Sequence, residues 1–198
     1  MTGFRKLEET ELLRGPVISV GRARFSAPDG TVFERQVVHH PGAVVVVPLI
    51  DPGRVVLVRQ FRAAVEADLL ELPAGKRDVE GEAPEVTAAR ELVEEVGLAP
   101  GRLELLARFY NSPGFSDELS YLFLARDLTP AEAAPAGIEE SHLSIHRVDL
   151  AEVPAMVADG RIMDAKTIIG LALTREHLAG VTGTPGATAT PGGTGARP

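Results

Sequence analysis

Three glutamates, Glu91, Glu94 and Glu95, carry the clearest chemical signal in the sequence. On a helix, Glu91 and Glu95 are four residues apart and share a face, and Glu94 is three residues from Glu91. Like charges at these spacings repel by roughly a few tenths of a kcal/mol per pair, and the dipole disfavours anions near a helix C-terminus. A hard divalent cation would compensate them, and Mg²⁺ often bridges such carboxylates to substrate phosphates. The alternative is a solvated helix face that binds nothing.

The segment that positions these carboxylates is predicted to be a helix over Pro84–Val96. Its predicted apolar face consists of residues at spacings of three and four, namely Val86, Ala89, Val93 and Val96. Gly97 stands where a helix C-terminus favours glycine.

The residues around this helix resemble the Nudix box, G-x5-E-x7-R-E-U-x-E-E-x-G-U, in which U is aliphatic. Eight positions are in register: Glu82, Arg90, Glu91, Leu92, Glu94, Glu95, Gly97 and Leu98. Six residues separate Gly75 from Glu82 instead of five, and the extra residue falls in a loop, where chain length is tolerated. The resemblance implies a Nudix-type α/β/α sandwich with a mixed sheet. It also implies an enzyme that hydrolyses the diphosphate bond of a nucleoside diphosphate derivative.

The same resemblance implies a metal site. Its ligands would be Glu91 and Glu95, with Glu94 as a further or supporting ligand, and the backbone carbonyl of Ala74. Two or three Mg²⁺ ions are expected, and Mn²⁺ is an alternative metal. Arg90 is expected to orient a glutamate rather than to act in catalysis. Glu82 has two interpretations, which are metal binding and a helix-entry charge favoured by the dipole.

The loop over residues 112–118 narrows the substrate. Pro113 lies sixteen residues after Gly97, which resembles the marker of the ADP-ribose pyrophosphatase subgroup. The resemblance implies cleavage of ADP-ribose to AMP and ribose 5-phosphate. Four loop residues would line the terminal ribose and phosphate site: Ser112, Pro113, Gly114 and Glu118. An ordinary hairpin turn is the alternative for the Pro-Gly pair.

Three cations outside this loop are further candidates for substrate binding. Arg62 matches an arginine that the subgroup uses on the diphosphate, and an arginine fork pairs bidentately with phosphate oxygens; the alternative is a surface cation. Lys76 is the second candidate. Arg35 is a weaker match to a residue that reaches the nucleotide across a dimer interface.

A carboxylate that takes a proton from the attacking water would complete the chemistry. By resemblance it comes from a mobile loop before a late strand, here residues 134–142, in which Glu139 and Glu140 are the acids. Glu140 fits slightly better, counted back from the predicted strand over 143–148, and would also bind metal. Both acids could instead be solvated.

Composition and charge argue against several other kinds of site, partner and location. The 198 residues include no cysteine, which excludes disulfides, thiolate metal sites and a cysteine nucleophile. The net charge of −8 argues against a nucleic-acid partner. No apolar run approaches the roughly 18 residues needed to cross a membrane, and residues 1–13 lack the apolar segment of a signal peptide. A cytoplasmic location is expected.

The remaining elements predict a mixed sheet sandwiched by helices. Strands are predicted over residues 16–25, 31–39, 42–49, 54–61, 103–110, 119–125 and 143–148. Helices are predicted over 153–159 and 164–177, the second with Asp164 as N-cap and an apolar face of Ala165, Ile168, Ile169 and Ala172. Residues 1–40 would form a small antiparallel β subdomain, 41–180 the Nudix domain and 181–198 a disordered Thr/Gly/Pro tail. The resemblance implies a homodimer formed through the N-terminal strands.

Two other functions remain open. The substrate could be another nucleoside diphosphate derivative, such as a nucleotide sugar or NADH. Alternatively, the chain could be a non-catalytic module that senses ADP-ribose. Nudix proteins of the second kind usually lack acids of the box, whereas all of them are present here.

Overall fold

Two main sheets and three helices account for most of the computed structural model, which describes residues 3–133, 138 and 140–180. The strands are β1 (Arg5–Arg14), β2 (Ser19–Ser26), β3 (Val32–His39), β4 (Ala43–Asp51), β5 (Arg54–Arg62), β6 (Ala67–Glu71), β7 (Ala74–Lys76), β8 (Leu98–Ala99), β9 (Arg102–Tyr110), β10 (Leu119–Arg126), β11 (Thr129–Pro130) and β12 (Ser144–Asp149). The helices are α1 (Pro84–Val96), α2 (Val153–Ala158) and α3 (Ala165–Leu178), and a short 3-10 turn covers Glu140–His142. The tail predicted to be disordered lies outside the described residues.

The first three strands form an antiparallel sheet of their own, in the order β1-β2-β3. β1 is not among the strands predicted from the sequence. Nearly all of its residues are exposed, so charged and apolar side chains do not alternate as they do in a strand with one buried face. The strand is instead defined by its backbone pairing with β2.

The second sheet is mixed and carries the core. Its strand order is β12-β5-β4-β10-β9, with β6 paired to β5 and β7 paired to β4. β10 runs parallel to β4, whereas the other pairs are antiparallel. One face packs on α2 and α3, and the other face packs on α1. The valine run of β4 is therefore buried on both sides, and the predicted α/β/α sandwich is confirmed.

Helix α1 has the predicted bounds but a different buried face. Gly97 adopts a left-handed conformation, with φ of 70°, and its N–H donates to the carbonyl of Val93. The predicted face is only partly right, because Val96 is buried whereas Val86 is exposed. The buried residues are Thr87, Ala88, Glu91, Leu92, Glu95 and Val96. The helix thus directs two acids, Glu91 and Glu95, toward the protein interior. Apolar periodicity alone does not predict this orientation, because it places apolar residues on the buried face.

Helix α3 is capped as predicted but also buries another face. Asp164 accepts a hydrogen bond of 3.0 Å from the N–H of Thr167. The predicted face is only partly right, since Ile168 packs against the core whereas Ala165 and Ala172 are exposed. The buried residues are Thr167, Gly170, Leu171 and Thr174. This face is made largely of small and hydroxyl-bearing residues, so its burial leaves little hydrophobic periodicity to detect.

The small residues let α3 lie close to the sheet. A Cβ atom on Gly170 would lie 2.5 Å from a methyl carbon of Leu72. The Thr167 hydroxyl accepts a hydrogen bond of 2.8 Å from the N–H of Leu72. The start of α3 is therefore tied to the segment that follows β6.

Within the described residues, no helix is long and apolar enough to cross a membrane.

Candidate active site

A cleft of about 700 Å³ collects most of the residues predicted to act. Its walls come from α1, the ends of β5 and β7, the loop after β9 and the start of α3. Nine predicted site residues line it: Arg62, Ala74, Lys76, Glu91, Glu94, Glu95, Ser112, Glu118 and Glu140. The volume is in the range usual for small-molecule sites.

Four predicted residues are not among those that line the cleft. Pro113 and Gly114 follow Ser112 in the same loop but do not themselves reach the cleft wall. Arg35 lies on β3, where its guanidinium sits 4.8 Å from the centroid of the Phe33 ring. Its predicted contact requires a second copy of the chain and stays a prediction. Glu139 lies outside the described residues.

Two of the three helix glutamates are buried acids. Glu91 is 8% exposed and Glu95 is 4% exposed. Burial raises the pKa of Glu91 to about 7; Arg90 opposes this shift, whereas Glu94 and Glu140 add to it. Burial likewise raises the pKa of Glu95 to about 8, against a hydrogen bond from Ala74 and with further repulsion from Glu91 and Glu140. These carboxylates therefore lack sufficient positive charge for full ionisation, and Glu140 lies near enough to repel both.

Arg90 holds the acids of the box together. Its Nη1 donates at 3.0 Å to both Glu91 and Glu94, and its Nη2 donates at 3.3 Å to Glu82. This agrees with the expectation that Arg90 orients glutamates. Glu82 also accepts a hydrogen bond of 2.7 Å from the hydroxyl of Thr87 at the start of α1. That contact favours the helix-entry interpretation of Glu82.

Strand β7 brings the backbone against the helix acids. The N–H of Ala74 donates at 3.2 Å to Glu95. A Cβ atom on Gly75 would lie 1.9 Å from the carboxyl carbon of Glu91, so this position has room for the acid only because it is a glycine. The extra residue of the box lies in the loop that follows β7 and leaves the facing of β7 and α1 intact.

The donor set fits a hard divalent cation. Glu91 and Glu95 supply buried oxygens that lack enough counter-charge, and Ala74 lines the same cleft. Within the described residues, no three His, Cys, Asp or Glu side chains form a ready metal site. A cation here would need oxygens from the Ala74 carbonyl, water and substrate phosphates as well. Such mixed shells are usual for Mg²⁺.

A buried acid beside the cleft, Glu71, is not among the residues predicted from the sequence. Glu71 is 1% exposed and accepts hydrogen bonds from Arg62, at 2.8 Å from Nε and 2.6 Å from Nη2. The Lys166 ammonium also donates to Glu71, and both cations line the cleft. Arginine and lysine hydrogen bonds keep the pKa of Glu71 low, although burial alone would raise it. One signal was available, because an acid ending an apolar strand must find a partner when buried.

The loop after β9 is docked on the end of β3. The N–H of Val38 donates at 2.7 Å to Phe115, and the N–H of Asp117 donates at 3.1 Å back to Val38. The Asp117 side chain accepts from the N–H of His40 at 2.9 Å. The N-terminal sheet therefore fixes the loop that presents Ser112 to the cleft.

His39 adds an ionic link between the two sheets. Its Nδ1 lies 2.6 Å from Asp117, and its Nε2 lies 2.5 Å from Glu9 of β1. Two carboxylates on the two ring nitrogens favour the imidazolium form, and hydrogen bonds first to Glu9 and then to Asp117 raise the pKa of His39. Gly21 makes room for this link, because a Cβ atom there would lie 1.9 Å from Glu9 Oε1.

Comparison with known proteins decides the family. Residues 39–168 match the model of the NUDIX domain. The chain belongs to the Nudix family. This Nudix protein is 36% identical over 163 residues to the ADP-ribose pyrophosphatase of Bacillus subtilis (strain 168), covering 82% of the chain and 88% of that protein. It is 34% identical over 167 residues to the methanol dehydrogenase activator of Bacillus methanolicus, covering 84% and 90% respectively.

A solved structure supports the same fold. The crystal structure of an ADP compounds hydrolase matches this Nudix protein with a TM-score of 0.79 at 25% identity, covering 89% of this chain and 95% of that chain. The predicted family and fold are thus confirmed. Nudix hydrolases generally use a divalent metal such as Mg²⁺, and the donor set described above suits one.

Proposed function

We propose that this Nudix protein hydrolyses the diphosphate bond of ADP-ribose to AMP and ribose 5-phosphate in the presence of Mg²⁺. The observation that carries the proposal is the cleft itself. Buried acids that suit a cation line the same cleft as the basic side chains of Arg62 and Lys166. A diphosphate is the group that can interact with a bound cation and with basic side chains at once. The similarity to an ADP-ribose pyrophosphatase supports the choice of substrate.

The chain's residues take distinct roles in this proposal. Glu91, Glu95 and the Ala74 carbonyl would hold Mg²⁺, with Glu94 in support; when bound, Mg²⁺ supplies charge neutralisation and lowers the pKa of water. Arg62 and Lys76 bind phosphate oxygens. Glu140, on the short turn before β12, accepts the proton of the attacking water. Glu139 is the alternative base.

The loop after β9 would recognise the far end of the substrate. Ser112 and Glu118 line the cleft, and their side chains can hydrogen-bond ribose hydroxyls. Pro113 and Gly114 would act by shaping the turn between them, since a proline restricts the conformations that the loop can adopt.

We further propose that the protein acts as a homodimer through the sheet β1–β3. This sheet, with Phe4 directly before it, exposes several large apolar side chains, which also include Leu7, Leu12, Leu13 and Val32. A second copy would cover them and would bring Arg35 to the nucleotide. Replacing Leu13 by Glu should give a monomer in sedimentation, and Arg35→Ala should raise the KM for ADP-ribose. A wild-type chain that sediments as a monomer would contradict this part.

The first test is AMP release from ADP-ribose with Mg²⁺, with EDTA and Glu95→Gln as controls. We expect metal-dependent AMP and ribose 5-phosphate that the variant does not produce. No turnover by the wild-type protein would reject the ADP-ribose assignment. A panel of NADH and nucleotide sugars would then identify another diphosphate substrate, and inactivity on the whole panel would favour the non-catalytic, ADP-ribose-sensing alternative.

A further inference from the structure

We propose that Glu71 is a positioning residue that holds Arg62 and Lys166 side by side against the substrate's diphosphate, with Lys166 a direct phosphate contact. The inference rests on the proposed function, because it assigns a diphosphate to this cleft. It adds two residues, Glu71 and Lys166, to those predicted to act from the sequence. We call the three residues Glu71, Arg62 and Lys166 the basic clamp.

Glu71 lies behind the two cations rather than in the cleft. Its side chain is almost fully buried, whereas Arg62 keeps 41% of its side chain exposed. Arg62 bonds to Glu71 through Nε and Nη2, which occupies one edge of the planar guanidinium. The other edge, with Nη1, is then turned away from Glu71. An arginine locked in this way presents its fork in one orientation and loses less entropy when it binds phosphate.

Lys166 reaches the same acid from a different element. Its side chain is 14% exposed, lines the cleft and bonds to Glu71, and its ammonium lies 3.0 Å from Asp164 Oδ1. An ammonium has three donors, so two carboxylate contacts leave one for a ligand. The bond between Thr167 and Leu72 fixes the backbone on both sides of this pair, since each residue is the neighbour of a clamp member.

Glu71 also keeps Arg62 away from the helix acids. The positive charge of Arg62 lowers the pKa of Glu95 electrostatically, although burial has the larger and opposite effect. Without Glu71, the guanidinium would be drawn toward Glu91 and Glu95, where it would compete with a cation for the same carboxylates. The basic clamp therefore ties the two positive side chains to Glu71 instead of to the helix acids of the same cleft. Both sets of side chains stay available to a diphosphate.

Glu71→Gln tests the clamp, because the amide keeps the shape of the side chain but loses its charge. Losing one charge-assisted contact should raise the KM for ADP-ribose about tenfold, with kcat changed by less than about threefold. Lys166→Met should have a similar effect, and Lys166→Arg should restore much of the affinity. Asp159→Asn is the matched control, since it removes the partner of an exposed arginine, Arg161, outside the cleft.

A second readout does not depend on turnover. Inorganic pyrophosphate binding in EDTA, measured by calorimetry, should weaken about tenfold in Glu71→Gln and in Lys166→Met. The double variant should weaken binding by less than the product of the single effects, because both residues act through one clamp. Thermal unfolding shows whether each variant is folded. If Glu71→Gln does not fold, Lys166→Met decides, since Lys166 is at the start of a helix and leaves no core cavity.

The two proposals fail in different ways. A wild-type protein that binds pyrophosphate but does not cleave ADP-ribose would reject the substrate and retain the clamp. Folded variants with unchanged KM and unchanged pyrophosphate binding would overturn the clamp and leave the proposed function intact. A fall in kcat at constant KM would also overturn it, because it would place Glu71 in the chemical step. Wild-type protein that binds no pyrophosphate overturns the clamp as well.

Discussion

The cleft region contains two kinds of buried carboxylate, which differ in whether nearby cations compensate their charge. Glu71 and Glu95 are both almost fully buried. Arg62 and Lys166 compensate Glu71 and hold its pKa below the ordinary value despite burial, whereas burial raises the pKa of Glu95 to about 8. A compensated acid is a permanent part of the structure. An uncompensated one resists ionisation, and a bound cation would favour its charged form.

The largest expected effect comes from removing the uncompensated acid. Glu95→Gln should lower Mg²⁺-dependent AMP release on the order of 10³-fold, because it removes a buried metal oxygen. Mg²⁺ should raise the unfolding temperature of the wild-type protein and not that of the variant. Activity assays and calorimetric melts with and without EDTA check this. A variant that keeps both responses would show that Glu95 binds no metal.

The next effect comes from moving an acid without removing it. Gly75→Ala places a methyl group where Glu91 now lies, so the carboxylate must shift by an ångström or more. We expect about a 10²-fold loss of activity, as for small misplacements of reacting groups. Circular dichroism should show a folded protein. Gly53→Ala is the matched control, since a Cβ atom there meets nothing within 4 Å; equal activity of both variants would contradict the prediction.

Substituting these two carboxylates should shift the unfolding temperature in opposite directions when it is measured in EDTA. Glu71→Gln leaves two cations without their shared acid and should lower the unfolding temperature by roughly 4–8 °C, for a cost of about 2 kcal/mol. At neutral pH Glu95 must take up a proton on folding, because burial raises its pKa to about 8; Glu95→Gln removes that cost and should raise the unfolding temperature by a few degrees. Parallel melts of the two variants test the contrast. Shifts of the same sign would show that the two acids do not differ as described.

The smallest expected effect concerns His39 and depends on pH. Its folded pKa is raised by Glu9 and Asp117, and Lys6 in turn bonds to Glu9. The stabilisation is therefore fully present below the unfolded pKa of about 6.5. It is lost as pH rises through the higher folded pKa. Wild type should exceed His39→Gln in unfolding temperature by a few degrees at pH 6.

The difference should shrink steadily above neutral pH. Melts of both proteins from pH 6 to pH 9 measure it. A constant difference across that range would indicate that the ring is neutral and that packing, not charge, accounts for its contribution.

The parts of the site that local sequence determines could be predicted. The apolar spacing over Pro84–Val96, together with Gly97, predicted a helix whose bounds the structure confirms. The buried faces of α1 and α3 could not be predicted from apolar periodicity, because one buries acids and the other buries small residues such as Gly170. Their orientation is decided by what lies opposite them in the fold.

Contacts between segments that are distant in the sequence could not be predicted either. Glu71 and Lys166 are 95 residues apart, and their pairing depends on how α3 packs against the sheet. Similarly, β1 is an exposed strand that only its pairing with β2 identifies. Arg62 was found because it matches a family position, whereas its partner Glu71 had no such match. The local sequence pattern thus predicted the acidic residues of the cleft. The basic residues come together only through tertiary packing, which the local pattern does not show.

The bond between Leu72 and Thr167 has a consequence for the order in which the chain acquires its parts during synthesis. The acids and Gly75 lie within a short stretch and can come together soon after α1 leaves the ribosome. The second basic side chain, Lys166, arrives only later, when α3 has been made and docks on the sheet. A nascent chain would therefore complete its anionic half well before its cationic half, and docking of α3 would be the step that makes a chain competent to hold a diphosphate.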